Sequence, residues 1–209
     1  MLTLTGKTVA EFLSALASSA PTPGGGSAAA LAGAMGASLL AMVGALPSRR
    51  APSEPDVDRL QEAGRRSAAA AERLGALVDE DSAAYDAVSA AYRLPKSSDE
   101  EKTRRSQRIQ AALRGAVDPP MEVLDRSVDA AEAAVTIARF GNANAASDIG
   151  VAIELLGAAA RGAKLNVDIN AESLKNREAA EQLLQAAAAA VAACERSLEA
   201  ARAALTTAG

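Results

Sequence analysis

Between Pro21 and Val43 the chain reads PTPGGGSAAALAGAMGASLLAMV, and no residue from Gly24 to Pro47 is charged. Two prolines close off what precedes, three glycines give the backbone freedom, and Ser27 stands where an alanine-rich helix can begin. The N–H groups of such a bare helix start have no intrahelical partners and sit at the positive end of the helix dipole, which suits an anion or a carbonyl. A turn that merely starts a helix is the commoner case. Gly26, Ala30, Gly33, Ala37, Leu40 and Gly44 fall at helical spacing and leave one stripe almost bare, so either another backbone or a flat ligand must approach it closely. The stretch is long enough to cross a membrane. Its apolar content is mostly alanine and glycine and its ends lack aromatic anchors, so the expectation is a buried helix of a soluble protein and no membrane partner.

With aromatics at 2% and few β-branched runs, the periodic stretches favour helices and leave no good strand. The expected fold is all-α, an up-and-down bundle of long helices in which residues 1–209 make one domain. Alanine buries little area per residue, so the helices must pack closely over long distances, and association into a homo-oligomer would add contact. A net charge of −4 with interspersed signs, and no basic stripe beside aromatic platforms, argues against a nucleic-acid partner. The absence of histidine removes the commonest metal ligand and the commonest general base, which leaves chemistry to carboxylates, lysine, tyrosine or backbone. Cys194 is the single cysteine, so a disulfide framework is excluded and a small apolar filler is expected. The N-terminus, with Lys7 and Glu11, makes a poor signal peptide, so the expected location is cytoplasmic.

Thr8 to Ser18 has the pattern of a short amphipathic helix with a Thr8/Glu11 capping box, a lid or brace. Pro47, Pro52 and Pro55 mark a loop carrying Arg49 and Arg50. From Pro55 to Tyr92 a long helix repeats Leu60, Ser67, Leu74, Asp81 and Val88 every seven residues. Asp81 breaks the apolar seam, because it shares the face of Leu74, Leu77, Tyr85 and Val88. A carboxylate there is either satisfied by a neighbouring helix or a tyrosine, or functional, with desolvation raising its pKa toward the range useful for proton transfer. Pro95 ends the helix, Lys96 follows in the turn, and Ser98 with Glu101 caps the next one. Asp118, Pro119 and Pro120 interrupt a further apolar stripe, which predicts a kink or two helices end to end.

In FGNANAASDIG, Gly141 can cap the preceding helix, but Asn142, Asn144, Ser147 and Asp148 are more polar groups than capping needs. Asp148 heads a seam of Ala152, Leu155, Ala159 and Gly162, and if the helix continues Asn166 and Asn170 lie on the same side. Such amides either fix helix contacts or read the donors and acceptors of a heterocycle. A long amphipathic helix from Glu172 to Ala204 closes the chain.

These pieces resemble the cyclodeaminase and methenyltetrahydrofolate cyclohydrolase family, which includes the C-terminal domain of formiminotransferase-cyclodeaminase and stand-alone bacterial cyclohydrolases. The resemblance is carried by SSAPTPGGGSAAA at 18–30, DxxAYxAV from Asp81, LPKSSDEEK at 94–102, GNANAASD at 141–148 and NVDIN at 166–170, in the family's order over most of the chain. It implies an all-helical homodimer with a tetrahydrofolate site near the dimer interface, the substrate with or without a polyglutamate tail, and no metal or other cofactor. By motif matching, Asp81 becomes the catalytic acid or base, and Pro23, Gly24, Gly25, Gly26 and Ser27 a wall of the folate site. Tyr85, Lys96, Asn142, Asn144, Asp148, Asn166 and Asn170 become lining or positioning residues. The loop PSRRAPSEP departs from the family's Gly-Lys/Arg-rich pattern and leaves contacts by Arg49 and Arg50 open. The implied activity is opening of the methenyl bridge by water. The alternatives are release of ammonia by a cyclodeaminase, and a helical folate binder or scaffold without chemistry.

Overall fold

Residues 3–206 are described in a computed structural model, and every regular element among them is helical. Helix α1 (Val9–Leu16) begins on the expected capping box: the Glu11 N–H donates to Thr8 Oγ1, and the Thr8 N–H donates to Glu11 Oε2 at 2.8 Å. It buries only Phe12 and leaves Val9 and Leu13 in solvent, so it braces the surface more than it covers anything. The arm before it is tied down where the Leu4 N–H and the Thr5 hydroxyl donate to Asp79.

Helix α2 (Gly25–Ala45) follows with Gly24 as its N-cap, which puts Ser27 in the third position inside the helix. Ser27 is therefore not the cap that its place in the sequence suggested, and its hydroxyl is free for another task. None of the described glycines has positive φ, so the three glycines serve close approach and not unusual backbone angles. Helix α3 (Glu54–Tyr92) is capped by Ser53, and α4 (Asp99–Gly115) by the Ser98/Glu101 capping box. Helix α5 (Asp118–Phe140) carries Pro119 and Pro120 in its first turn, where their missing N–H groups break no helical bond. The chain thus resolves the expected kink or break as two separate helices. After a 3₁₀ turn (Ala143–Ala145), α6 (Ala146–Glu172) runs through the whole NVDIN segment. The last helix, α7 (Arg177–Thr206), starts five residues later than expected, because α6 continues through Glu172 and the chain turns between the two.

Helix α2 lies between α3 and α6 and also touches α5, while α5, α6 and α7 pack on one another. The core between them is filled by Leu40, Leu74, Leu77, Leu124, Ile149 and Leu156, all fully buried. The bare stripe of α2 is used by other helices: Gly33 faces Leu74 and Ala159, Gly36 faces the Ala152 carbonyl, and Gly44 lies on Gly64 of α3. A methyl group at Gly44 would stand 2.5 Å from Gly64 Cα and 3.0 Å from Gly64 N, atoms that cannot turn aside. Gly44→Ala is therefore expected to force α2 and α3 apart and to cost about 1–3 kcal/mol, seen as a lower thermal midpoint with unchanged helix content by circular dichroism. Cys194 is fully buried, and desolvation pushes its thiol up to about 12, which makes it the inert filler expected.

Candidate active site at the start of helix α2

Because α2 runs antiparallel to α3 and α6, its bare start meets Asp81 on one side and the last turns of α6 on the other. These elements enclose a cavity of about 340 Å³. Pro21, Thr22 and the backbone of Gly24–Gly26 form one wall; Asp81, Ala84, Tyr85 and Val88 of α3 form the second. Asn166, Ile169 and Asn170 of α6, with Ser173 and Ala116, complete it.

Asp81 is seated by two residues of α2. At Gly26, a Cβ would overlap the Asp81 carboxylate and lie 2.6 Å from its Cγ, so only glycine leaves the carboxylate room against the helix start. Ser27, fully buried, brings its hydroxyl to 2.9 Å from Asp81 Oδ2 and 2.9 Å from the Val78 carbonyl, with Ser82 Oγ at 3.1 Å. A hydroxyl has one proton, so donation to Asp81 is favoured when that carboxylate is charged, and Ser82 can then donate to Ser27. Among the described residues no lysine or arginine forms a salt bridge with Asp81.

Burial raises the Asp81 pKa, and the Ser27 hydroxyl and N–H pull it down without cancelling the rise. The sequence left open whether this carboxylate is satisfied or functional. Ser27 satisfies it in part, and the cavity leaves it accessible. Its raised pKa also affects stability. A carboxyl whose pKa is higher in the folded state stabilises the fold while protonated, below its unfolded pKa, and that contribution is lost as pH rises through the folded value. Asp81→Asn is therefore expected to melt at or above the wild-type temperature at pH 7, with the gap narrowing as the pH is lowered, as thermal scans across that range would record.

The two asparagines of α6 are held from behind. Asn166 Nδ2 donates to the Gly162 carbonyl and Asn170 Nδ2 to the Ala116 carbonyl, each at 2.9 Å, and neither Oδ1 is engaged by a described residue. Tyr85 stands at the rim, 47% exposed, and is not the buried partner of Asp81 that one reading of the sequence allowed. Pro23, joined to Thr22 by a cis peptide bond, is buried behind the wall, and Ser27 lies beneath it.

The other expected residues lie elsewhere in the single chain. Lys96 is exposed in the turn beyond α3 and does not line the cavity. Asn142 and Asn144 line a second cavity, of about 620 Å³, with Pro47, Ser48, Arg49 and Arg50. Asn142 Nδ2 donates to the Pro47 carbonyl at 2.8 Å, and its Oδ1 accepts the Asn144 N–H at 3.0 Å. Asp148 sits in the first turn of α6, and eighteen residues of unbroken helix, about 27 Å, separate it from Asn166. The chain thus gathers the Pro21–Ser27, Asp81, Tyr85, Asn166 and Asn170 group but keeps the Asn142–Asp148 group at the opposite end of the same helices.

Sequence reasoning missed Pro21, Thr22, Ala84, Val88, Ala116, Ile169 and Ser173 as cavity residues. Ile169 and Ser173 follow Asn166 at helical spacing and were within reach of the periodicity. Ala116 arrives only through the tertiary junction of α4 with α5 and left no local signal.

Comparison with known proteins bears on the same region. Residues 8–189 match the family model for formiminotransferase-cyclodeaminase. A methenyltetrahydrofolate cyclohydrolase of Methylorubrum extorquens is 42% identical over 180 residues, 86% of each chain. The formimidoyltransferase-cyclodeaminase of Rattus norvegicus is 34% identical over 200 residues, which cover 90% of this chain but 36% of that protein. Among solved structures, formiminotetrahydrofolate cyclodeaminase of Thermotoga maritima superposes with a TM-score of 0.80 at 29% identity, over 96% of both chains. With the family match spanning the glycine start, Asp81 and both asparagine motifs, the chain belongs to the formiminotransferase-cyclodeaminase family.

Proposed function

We propose that this protein is a methenyltetrahydrofolate cyclohydrolase that opens the 5,10-methenyl bridge by adding water, with Asp81 as the proton carrier. The observation that carries the reading is a half-buried carboxylate of raised pKa, without a protein counter-cation, facing a cavity able to take a ring. The similarity to a stand-alone protein named for this activity, over most of both chains, supports it.

The chemistry balances on one carboxylate. The methenyl carbon lies between two nitrogens in a cationic amidinium, and the Asp81 anion attracts that cation. Water attacks the carbon, forming a C–O bond, and passes one proton to Asp81, which leaves a neutral tetrahedral adduct. One C–N bond then breaks; its electron pair goes to the departing nitrogen, which takes the proton back from Asp81, while the adduct hydroxyl loses its proton to solvent and becomes the formyl carbonyl. One proton is released per turnover. Asp81 acts as base and then as acid, the role a raised pKa equips it for. The electrophile is already charged, so the route asks for no metal. In this reading Asn166 and Asn170 offer their Oδ1 atoms to N–H groups of the pterin.

A cyclodeaminase would use the same site differently: a folate nitrogen attacks the formimino carbon and Asp81 protonates the departing ammonia. The likeness to the Thermotoga maritima cyclodeaminase favours keeping that activity in the test. Purified protein is given each substrate separately. Loss of the methenyl absorbance without ammonia supports the cyclohydrolase, ammonia from formiminotetrahydrofolate supports the cyclodeaminase, and binding without either product would reduce the protein to a folate binder. The reading also takes the working enzyme to be a homodimer.

A further inference from the structure

The two carboxylate oxygens of Asp81 have different surroundings. Oδ2 accepts the Ser27 hydroxyl at 2.9 Å, while no described side chain hydrogen-bonds Oδ1. Oδ1 is also the atom that a Cβ at Gly26 would strike first, so it lies over the glycine backbone that forms the cavity wall. Ser27 itself is fully buried behind that wall and lines no part of the cavity. A proton taken from water and returned to a nitrogen within one turnover needs an oxygen fixed in place, because a carboxyl that turned between the two transfers would carry it away.

We propose that Ser27 is a positioning residue for this reaction: its hydroxyl holds Oδ2 against the start of α2 and so leaves Oδ1 to take the proton from water and return it to the departing nitrogen. The role rests on the cyclohydrolase reading; the hold on the carboxylate does not.

The surroundings of the Ser27 hydroxyl suit a group whose partner changes charge. The Val78 carbonyl stands 2.9 Å from it and Ser82 Oγ 3.1 Å. With Asp81 ionised, Ser27 donates to Oδ2, the stronger acceptor, and can accept from Ser82. With the proton on Oδ1, Oδ2 remains an acceptor and the same bond persists. A proton on Oδ2 would reverse the bond, and Ser27 would then donate to Val78. The buried hydroxyl therefore keeps a partner in every protonation state, and neither helix has to move during the cycle.

No other side chain holds this carboxylate. Ser27 is the only described side chain that hydrogen-bonds Asp81, and α2 carries no charge. Tyr85, at the rim, is the only other titratable residue lining the cavity. The neighbouring acids are engaged elsewhere: Asp79 accepts from Leu4 and Thr5, Glu80 and Glu122 of α5 are paired with Arg73, and Asp168 of α6 is paired with Lys164. Burial raises the Asp81 pKa and Ser27 alone opposes the rise, which ties the pH response of the site to this one contact.

Ser27→Ala removes the hydroxyl at a position where alanine is the better helix former, so circular dichroism is expected to match the wild type. Its kcat is expected to fall by up to about 10²-fold, the cost of misplacing a reacting group, with KM little changed because Ser27 does not touch the cavity. The acid limb of kcat/KM is expected to move to higher pH, since the lost bond favoured the charged carboxylate. On the Asp81→Asn background the same substitution is expected to add little. A second readout needs no substrate: in protein labelled with 13C-aspartate, the Asp81 carboxyl signal, assigned by its loss in Asp81→Asn, is expected to titrate at higher pH in Ser27→Ala than in the wild type. A serine that only ties α2 to α3 through Val78 would lower the rate alike at every pH. Wild-type turnover with an unmoved limb and an unmoved titration in Ser27→Ala would therefore overturn the proposal and leave the functional reading standing. A rise in KM that accounts for the whole loss would overturn it too, by making Ser27 a ligand contact. A moved titration in a protein that does not turn over methenyltetrahydrofolate would overturn the functional reading, and the catalytic role with it, and leave only the hold on the carboxylate.

Discussion

Asp81→Asn is expected to lower the turnover of methenyltetrahydrofolate by about 10²–10⁴-fold, the range a positioned acid–base group contributes. The amide is nearly isosteric with the carboxylate and can still accept the Ser27 hydroxyl, so the helix start and the cavity keep their form. What is lost is the proton carrier and the negative charge that draws the cationic bridge, so kcat falls and KM rises. In the wild type the free enzyme must hold Asp81 ionised to take the proton from water. Its kcat/KM is therefore expected to decline on the acid side with a midpoint above the ordinary aspartate range, because desolvation raises that pKa. The variant is expected to lose that limb, as initial rates measured over pH would reveal.

Gly26→Ala is expected to reduce activity nearly as much without touching the carboxylate chemically. The added methyl group would lie 2.6 Å from Asp81 Cγ and 2.8 Å from Oδ2, closer than any real contact permits. The α3 backbone is fixed by its packing, so the short aspartate side chain must swing away from Ser27 and out of its position at the helix start. Alanine is the better helix former by about 0.8–1.0 kcal/mol, which offsets part of the strain and keeps the variant folded. Because both substitutions remove the same placed carboxylate, the Gly26→Ala/Asp81→Asn double variant is expected to be scarcely worse than either single one. Additive losses would mean that Gly26 serves the ligand independently of Asp81.

The helical architecture was legible because its signals are local. Capping boxes at Thr8/Glu11 and Ser98/Glu101, the proline pair at 119–120 and the heptads of α3 each fix an element from its own residues. Asp81 was legible for the same reason, as a charge on an apolar seam. The role of Ser27 was not, since its hydroxyl serves a residue on another helix, 54 positions away, where a cap would have served its own. The glycine stripe of α2 was ambiguous between ligand and backbone, and its neighbours divide it: Gly26 lies against Asp81 at the cavity, while Gly33 and Gly44 pack on Leu74 and Gly64. The Asn142–Asp148 and Asn166–Asn170 groups read as one constellation because both are polar, helix-linked and in the same motif set. Their separation follows from the length of α6, which sets Asp148 in its first turn and Asn166 eighteen residues further on.

The most direct test of the account is the rate at which methenyltetrahydrofolate absorbance decays with the purified wild-type protein, set against buffer and against Asp81→Asn. The expected result is acceleration by the wild type and a decay close to the buffer rate with the variant. Equal acceleration by both proteins, or by neither, would contradict the assignment of this cavity and this carboxylate to opening of the bridge.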